Sequence, residues 1–85
     1  MRSIFVAWLL RVFGVEDPLQ VGTFAFKVAL SGASTGYIDY LWPSRIAIEM
    51  KSRGRDLKSA FAQLENYVEY LSQYEAPELL LVSDF

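Results

Sequence analysis

Gly36-Tyr37-Ile38-Asp39-Tyr40-Leu41-Trp42-Pro43-Ser44-Arg45-Ile46-Ala47-Ile48-Glu49-Met50-Lys51 decides how this 85-residue chain is read. Two runs rich in β-branched and aromatic residues flank Pro43-Ser44, a turn by composition. The stretch therefore predicts two strands, residues 37–42 and 45–51, joined by a short bend. Period-two alternation puts Ile46, Ile48 and Met50 on one face of the second strand. Ala47, Glu49 and Lys51 take the other, with Glu49 and Lys51 roughly 7 Å apart along it. If the strands pair through the bend, Asp39 falls across from the Glu49 end of its neighbour, within reach of a shared ion.

Downstream, Ser52-Arg53-Gly54-Arg55 reads as a loop and Asp56 as a helix N-cap. Leu57, Ala60, Phe61, Leu64, Tyr67, Val68 and Leu71 recur at helical spacing and form one wide apolar face. Gln63 and Tyr67, four residues apart, share one edge of it. Ala76-Pro77 ends the connection, and residues 78–84 predict a fourth strand.

Upstream, residues 23–30 predict a strand with Phe24 and Phe26 on one face and Ala25 and Lys27 on the other. Residues 31–36 are small and polar, a turn. Residues 3–13 predict a buried first helix, with Ile4, Trp8 and Val12 on one face and Phe5, Leu9 and Phe13 on the next. Gly14 suits the position after a helix end, and Glu16-Asp17-Pro18 continues the break. The order is α-β-β-β-α-β, with three consecutive strands as an antiparallel meander. No internal repeat or low-complexity segment interrupts it.

Composition bounds the function. Apolar residues make up 53% and aromatics 15%, which excludes disorder and predicts a real core. The length suits one small domain, residues 1–85. The final strand runs to the chain end, so the chain reads as a fragment of something longer. The apolar run 4–10 is too short for a bilayer span and no small-residue cleavage site follows it, which points to the cytoplasm and no membrane. The chain has no cysteine and no histidine. Disulfides, zinc-thiolate sites, cysteine nucleophiles and imidazole bases are thereby excluded. Acid–base or metal chemistry must use carboxylates, lysine, tyrosine or water, and a carboxylate site favours magnesium or manganese over zinc.

Net charge is −2, yet Arg45, Lys51, Arg53, Arg55 and Lys58 crowd one short segment. A local basic patch suits phosphate contact, with Arg53, Arg55 and Lys58 as candidate DNA contacts. On composition alone a solvated, charge-mixed loop is the better reading.

Asp39, Glu49 and Lys51 carry the chemistry the sequence offers. Two carboxylates can hold a magnesium ion that keeps several waters and takes a phosphate oxygen. The metal lowers the pKa of its water, and Lys51 can stabilise the attacking hydroxide and developing oxyanion. Glu-x-Lys on a strand, or an Asp after a Gly, is by itself more often structural. Gln63 and Tyr67 are likewise ordinary on an amphipathic helix edge. The combination in this order is more specific.

That combination resembles the PD-(D/E)xK nuclease superfamily, and Gln63-x-x-x-Tyr67 resembles the helix motif of its RecB-like branch. Gly36 to Pro43, Ile48 to Leu57, then Ala60, Gln63, Tyr67, Pro77 and Leu81-Val82-Ser83-Asp84-Phe85 look like the N-terminal nuclease domain of MmeI-like type IIG (type IIL) restriction–modification enzymes. The likeness runs from about Phe13 onward and is strongest from Gly36 to Tyr67.

The resemblance implies a restriction-endonuclease-like αβββαβ core, an α/β fold with a mixed sheet flanked by helices. It implies metal binding by Asp39, Glu49 and the Met50 backbone carbonyl, catalysis by Lys51, and support from Gln63 and Tyr67. It implies double-stranded DNA as substrate, dimerisation for double-strand cutting, and methyltransferase and target-recognition domains in a parent chain. S-adenosylmethionine would belong to that parent, since no Asn-Pro-Pro-Tyr motif or Gly-rich cofactor loop occurs here. Ala25 stands where the family often has a glutamate, and the segment between Leu30 and Gly36 looks short. A catalytically decayed nuclease fold acting as a DNA-binding or assembly module is the alternative, with Glu16, or an acid outside this chain, as substitute if cutting survives.

Overall fold

The computed structural model describes residues 2–51 and 56–84, with side chains for 5–50 and 56–83. The elements are α1 (Arg2–Val12), α2 (Pro18–Val21), β1 (Thr23–Ala29), β2 (Thr35–Trp42), β3 (Ile46–Lys51), α3 (Leu57–Val68) and β4 (Leu79–Asp84). They form an α/β structure around a four-stranded mixed sheet in the order β1-β2-β3-β4. β1–β2 and β2–β3 pair antiparallel, the expected meander, and β4 adds parallel to β3. Parallel neighbours need a crossover, which α3 supplies.

Each face of the sheet carries one helix. Val6 and Leu10 of α1 pack with Tyr40, Ile46, Ile48 and Met50. Leu64 of α3 packs with Val28, Ile38, Leu41 and Ala47. The alternation expected along β3 holds, since Ile46, Ile48 and Met50 face α1 while Ala47 faces α3. The apolar stripe of α3 is narrower than its spacing implies: Ala60 and Leu64 are buried, Tyr67 and Val68 half-buried, and Leu57 and Phe61 exposed. Leu71 packs on the same cluster from beyond the helix end.

Three expectations need correction. The buried stripe of α1 is Val6 and Leu10, whereas Trp8, Val12 and Phe13 are exposed. An almost uniformly apolar helix has no polar face to orient it, so the sheet, not the sequence, selects the buried side. The break at residues 16–18 contains α2, with Asp17 as N-cap accepting from the Leu19 N–H at 3.0 Å and Pro18 in the first turn. Phe24 and Phe26 do not share a face: Phe24 packs on the α1 side and Phe26 on the α3 side.

Tyr40 ties these parts together. Its ring lies 4.8 Å from that of Phe24, and its hydroxyl donates to the Pro18 carbonyl at 2.7 Å. Gly22 leaves room for it, because a Cβ there would meet the Tyr40 hydroxyl and the Leu41 carbonyl. Burial, and secondarily the charge of Asp17, push the Tyr40 pKa from 10.0 up to about 12. The folded state therefore holds this proton more tightly than the unfolded chain. Its contribution is complete below pH 10 and is lost as pH rises through 10 towards 12. Because the hydroxyl is only part-buried, this amounts to about 1–2 kcal/mol. Tyr40→Phe should lose about 1 kcal/mol at neutral pH and show a shallower alkaline decline in urea-melt stability between pH 9 and 12. An unchanged decline would refute this.

Candidate active site

β2 and β3 pair regularly only from Trp42↔Ile46 through Tyr40↔Ile48. Continued, this register would set Asp39 opposite Glu49 and then Ile38 opposite Met50. Instead the strands part, and two side chains occupy the opening. The Met50 N–H donates to Asp39 Oδ2 at 2.7 Å. The Asp39 N–H donates to Glu49 Oε1 at 3.3 Å. Asp39 and Glu49 thus take over the backbone pairing of the splayed strands, each binding the other's strand. Asp39 is half-buried, and Glu49 is only 4% exposed.

This is the proximity expected from the sequence, and the structure gives its cause. Within a strand the N–H and C=O of one residue point to the same side. The Met50 N–H reaches Asp39, so the Met50 carbonyl also points into the opening between β2 and β3. Asp39, Glu49 and that carbonyl form an all-oxygen donor set, which suits a hard divalent cation. Among the described residues no group of three or more Asp, Glu, His or Cys side chains is placed to hold a metal ion. Glu16 therefore does not join the pair. It lies with Arg11 and Asp17 around a hollow near the end of α1.

Lys51 ends β3, with its backbone opposite Asp84, and its side chain lies outside the described residues. Arg53 and Arg55 also lie outside them. Lys58 is exposed in the first turn of α3, where its N–H donates to the capping Asp56 at 2.9 Å. The Ser59 hydroxyl, then the Lys58 and Ser59 N–H groups, hold the Asp56 carboxyl below its ordinary range.

The Gln63 Nε2 donates to the Tyr67 hydroxyl at 2.9 Å, so the two act as a pair on the helix edge. Tyr67 packs on the cluster that lines the α3 face, the side of the sheet towards which Glu49 follows Ala47 by alternation. Gly36, buried in β2, is what admits it: a Cβ there would sit 2.6 Å from Tyr67 Cζ and 2.8 Å from Cε1. By composition Gly36 ends a turn. Its φ is not in the left-handed region, and only the ring above it explains the glycine.

A second, apolar hollow lined by Phe13, Trp42, Arg45, Ile46, Glu78 and Leu79 lies at the opposite end of β3 and has no part in this site. No helix among the described residues is long and apolar enough to cross a membrane.

A family model described as MmeI, N-terminal domain, matches residues 2–85. No curated protein and no solved structure matches the chain.

Proposed function

Because the chain belongs to the MmeI N-terminal domain family, we propose that it is the Mg2+-dependent DNA endonuclease domain of an MmeI-like restriction–modification enzyme, built on a restriction-endonuclease-like core. The observation that carries this reading is the Asp39–Glu49 pair inserted where the β2–β3 ladder opens. A buried carboxylate beside a second carboxylate gives two hard oxygen ligands at one place. The all-oxygen donor set fits Mg2+ or Mn2+, held by Asp39, Glu49 and the Met50 carbonyl. When bound, such an ion lowers the pKa of a coordinated water and neutralises phosphate charge.

The chain's own residues supply the rest. Asp39 and Glu49 are held at the splayed edge by backbone N–H groups, so their orientation is set before substrate arrives. Lys51, two residues beyond Glu49, stabilises negative charge developing on the phosphate oxygens. Gln63, fixed by Tyr67, orients the lysine or the attacking water. Arg53, Arg55 and Lys58 contact the backbone of double-stranded DNA, positioning it without reading sequence. Adenine methylation with S-adenosylmethionine, target recognition and dimerisation for double-strand cutting belong to the parent protein, in the cytoplasm.

The test is nicking or linearisation of supercoiled plasmid in magnesium by the restriction–modification protein that carries this domain. Asp39→Ala and Lys51→Ala should each abolish cutting, and cutting that survives both would overturn the assignment. Ala25, standing at the position of an expected acid, favours a second reading in which the fold has lost catalysis and serves as a DNA-binding or assembly module. A folded domain that binds neither Mg2+ nor Mn2+ at millimolar concentration would select that reading.

A further inference from the structure

Ala25 has φ +51°, a left-handed conformation that costs a non-glycine residue of order 1–2 kcal/mol. It sits inside β1, where every neighbour is extended. The β1–β2 register passes through Thr23↔Leu41 and Phe24↔Tyr40, skips Ala25 opposite Asp39, and resumes at Phe26↔Ile38. The register is the same on both sides of the skip, but the faces are not. Phe24 and Tyr40 pack towards α1, whereas Phe26, Val28 and Ile38 pack towards α3. Residues two apart in a regular strand share a face. Both strands therefore roll over together at the Ala25–Asp39 step.

The roll decides where Asp39 points. In an unbroken β2, Tyr40 directs its N–H and C=O to β3 and Asp39 would direct its own to β1. In the structure the Asp39 N–H turns to β3 and meets Glu49, while its carboxylate meets the Met50 N–H. We propose that Ala25 is a positioning residue: its left-handed backbone rolls the β1–β2 pair and so delivers Asp39 to Glu49 across the opening. This rests on the metal reading above for its consequence, though not for its geometry. Position 25 then tolerates residues that can take positive φ, glycine best. β-branched residues, which resist it most, would draw β1 back to extended and Asp39 back into the β1 ladder.

Ala25→Gly and Ala25→Val in the 85-residue chain test this, with folding followed by circular dichroism. Ala25→Gly should keep wild-type Mn2+ affinity. Ala25→Val should weaken it on the order of 10–100-fold, as loss of an orienting partner does for metal ligands. A readout independent of metal is the backbone at the step: the three-bond HN–Hα coupling of residue 25 and hydrogen exchange of the Asp39 amide. In Ala25→Val the coupling should become that of an extended residue and Asp39 protection should change. Wild-type affinity and an unaltered Asp39 amide in Ala25→Val would overturn the proposal. An extended coupling at residue 25 in the wild type would overturn it without any variant. Failure of the wild type to bind Mn2+ would sink the metal reading, and the backbone measurements would still decide the role of Ala25.

Discussion

Asp39→Asn should lower magnesium-dependent plasmid cleavage by about three orders of magnitude or more, the scale on which enzymes lose rate when a group stabilising transition-state charge is removed. The fold should survive, because the asparagine Oδ1 can still accept from the Met50 N–H that now bonds Asp39 Oδ2 at 2.7 Å. Without metal the variant should unfold in urea close to the wild-type midpoint, since that accepted hydrogen bond is retained. The two proteins should differ in their response to the ion. Magnesium at ten times its Kd stabilises a one-site protein by about 1.4 kcal/mol. For a domain of this size that raises Tm on the order of 5–10 °C. The wild type should show this rise and Asp39→Asn should not. A mutant that still cuts, or whose Tm still climbs with magnesium, would remove Asp39 from the site. Loss of cutting together with loss of fold would instead assign Asp39 a structural role.

Leu64→Ala should cost about 2–5 kcal/mol, the range for deleting a fully buried leucine. Leu64 is 0% exposed and joins α3 to Val28, Ile38, Leu41 and Ala47, so three strands lose packing at once. A domain of this length is expected to hold only about 4–13 kcal/mol in total. The variant therefore gives up a large share of the fold's stability. Urea denaturation should show a fall in midpoint with little change in slope. Phe61, on the same helix but 39% exposed, supplies the contrast, and its alanine variant should lose far less. Equal losses at the two positions would mean that α3 meets the sheet through a different face.

Apart from the short helix α2, the element order and the meander were legible because each signal is local. β-branched runs, Pro43-Ser44, the Asp56 cap and the spacing of Ala60 and Leu64 each act within a few residues. The closeness of Asp39 to Glu49 was legible for a related reason: a short bend between two strands leaves little choice of register. The orientation of α1 was not. Ile4 to Leu10 is apolar on every side, so nothing in the sequence prefers Val6 and Leu10 over Trp8. Gly36 also gave no local sign of its partner, since Tyr67 is far along the chain and meets it only after α3 crosses the sheet.

By itself, then, the sequence determined which residues could do chemistry. With no histidine or cysteine, any metal or acid–base centre must be built from carboxylates, lysine, tyrosine or water, and the spacing of Asp39, Glu49 and Lys51 made them the candidates. Tertiary structure decided how two of them meet. The β2–β3 ladder opens beyond Tyr40, and the strands roll over where Ala25 takes a positive φ opposite Asp39. Alternation predicts faces only while a strand stays regular. Here both strands change face where the left-handed Ala25 lies opposite Asp39, a meeting of two distant residues that no local stretch of sequence contains.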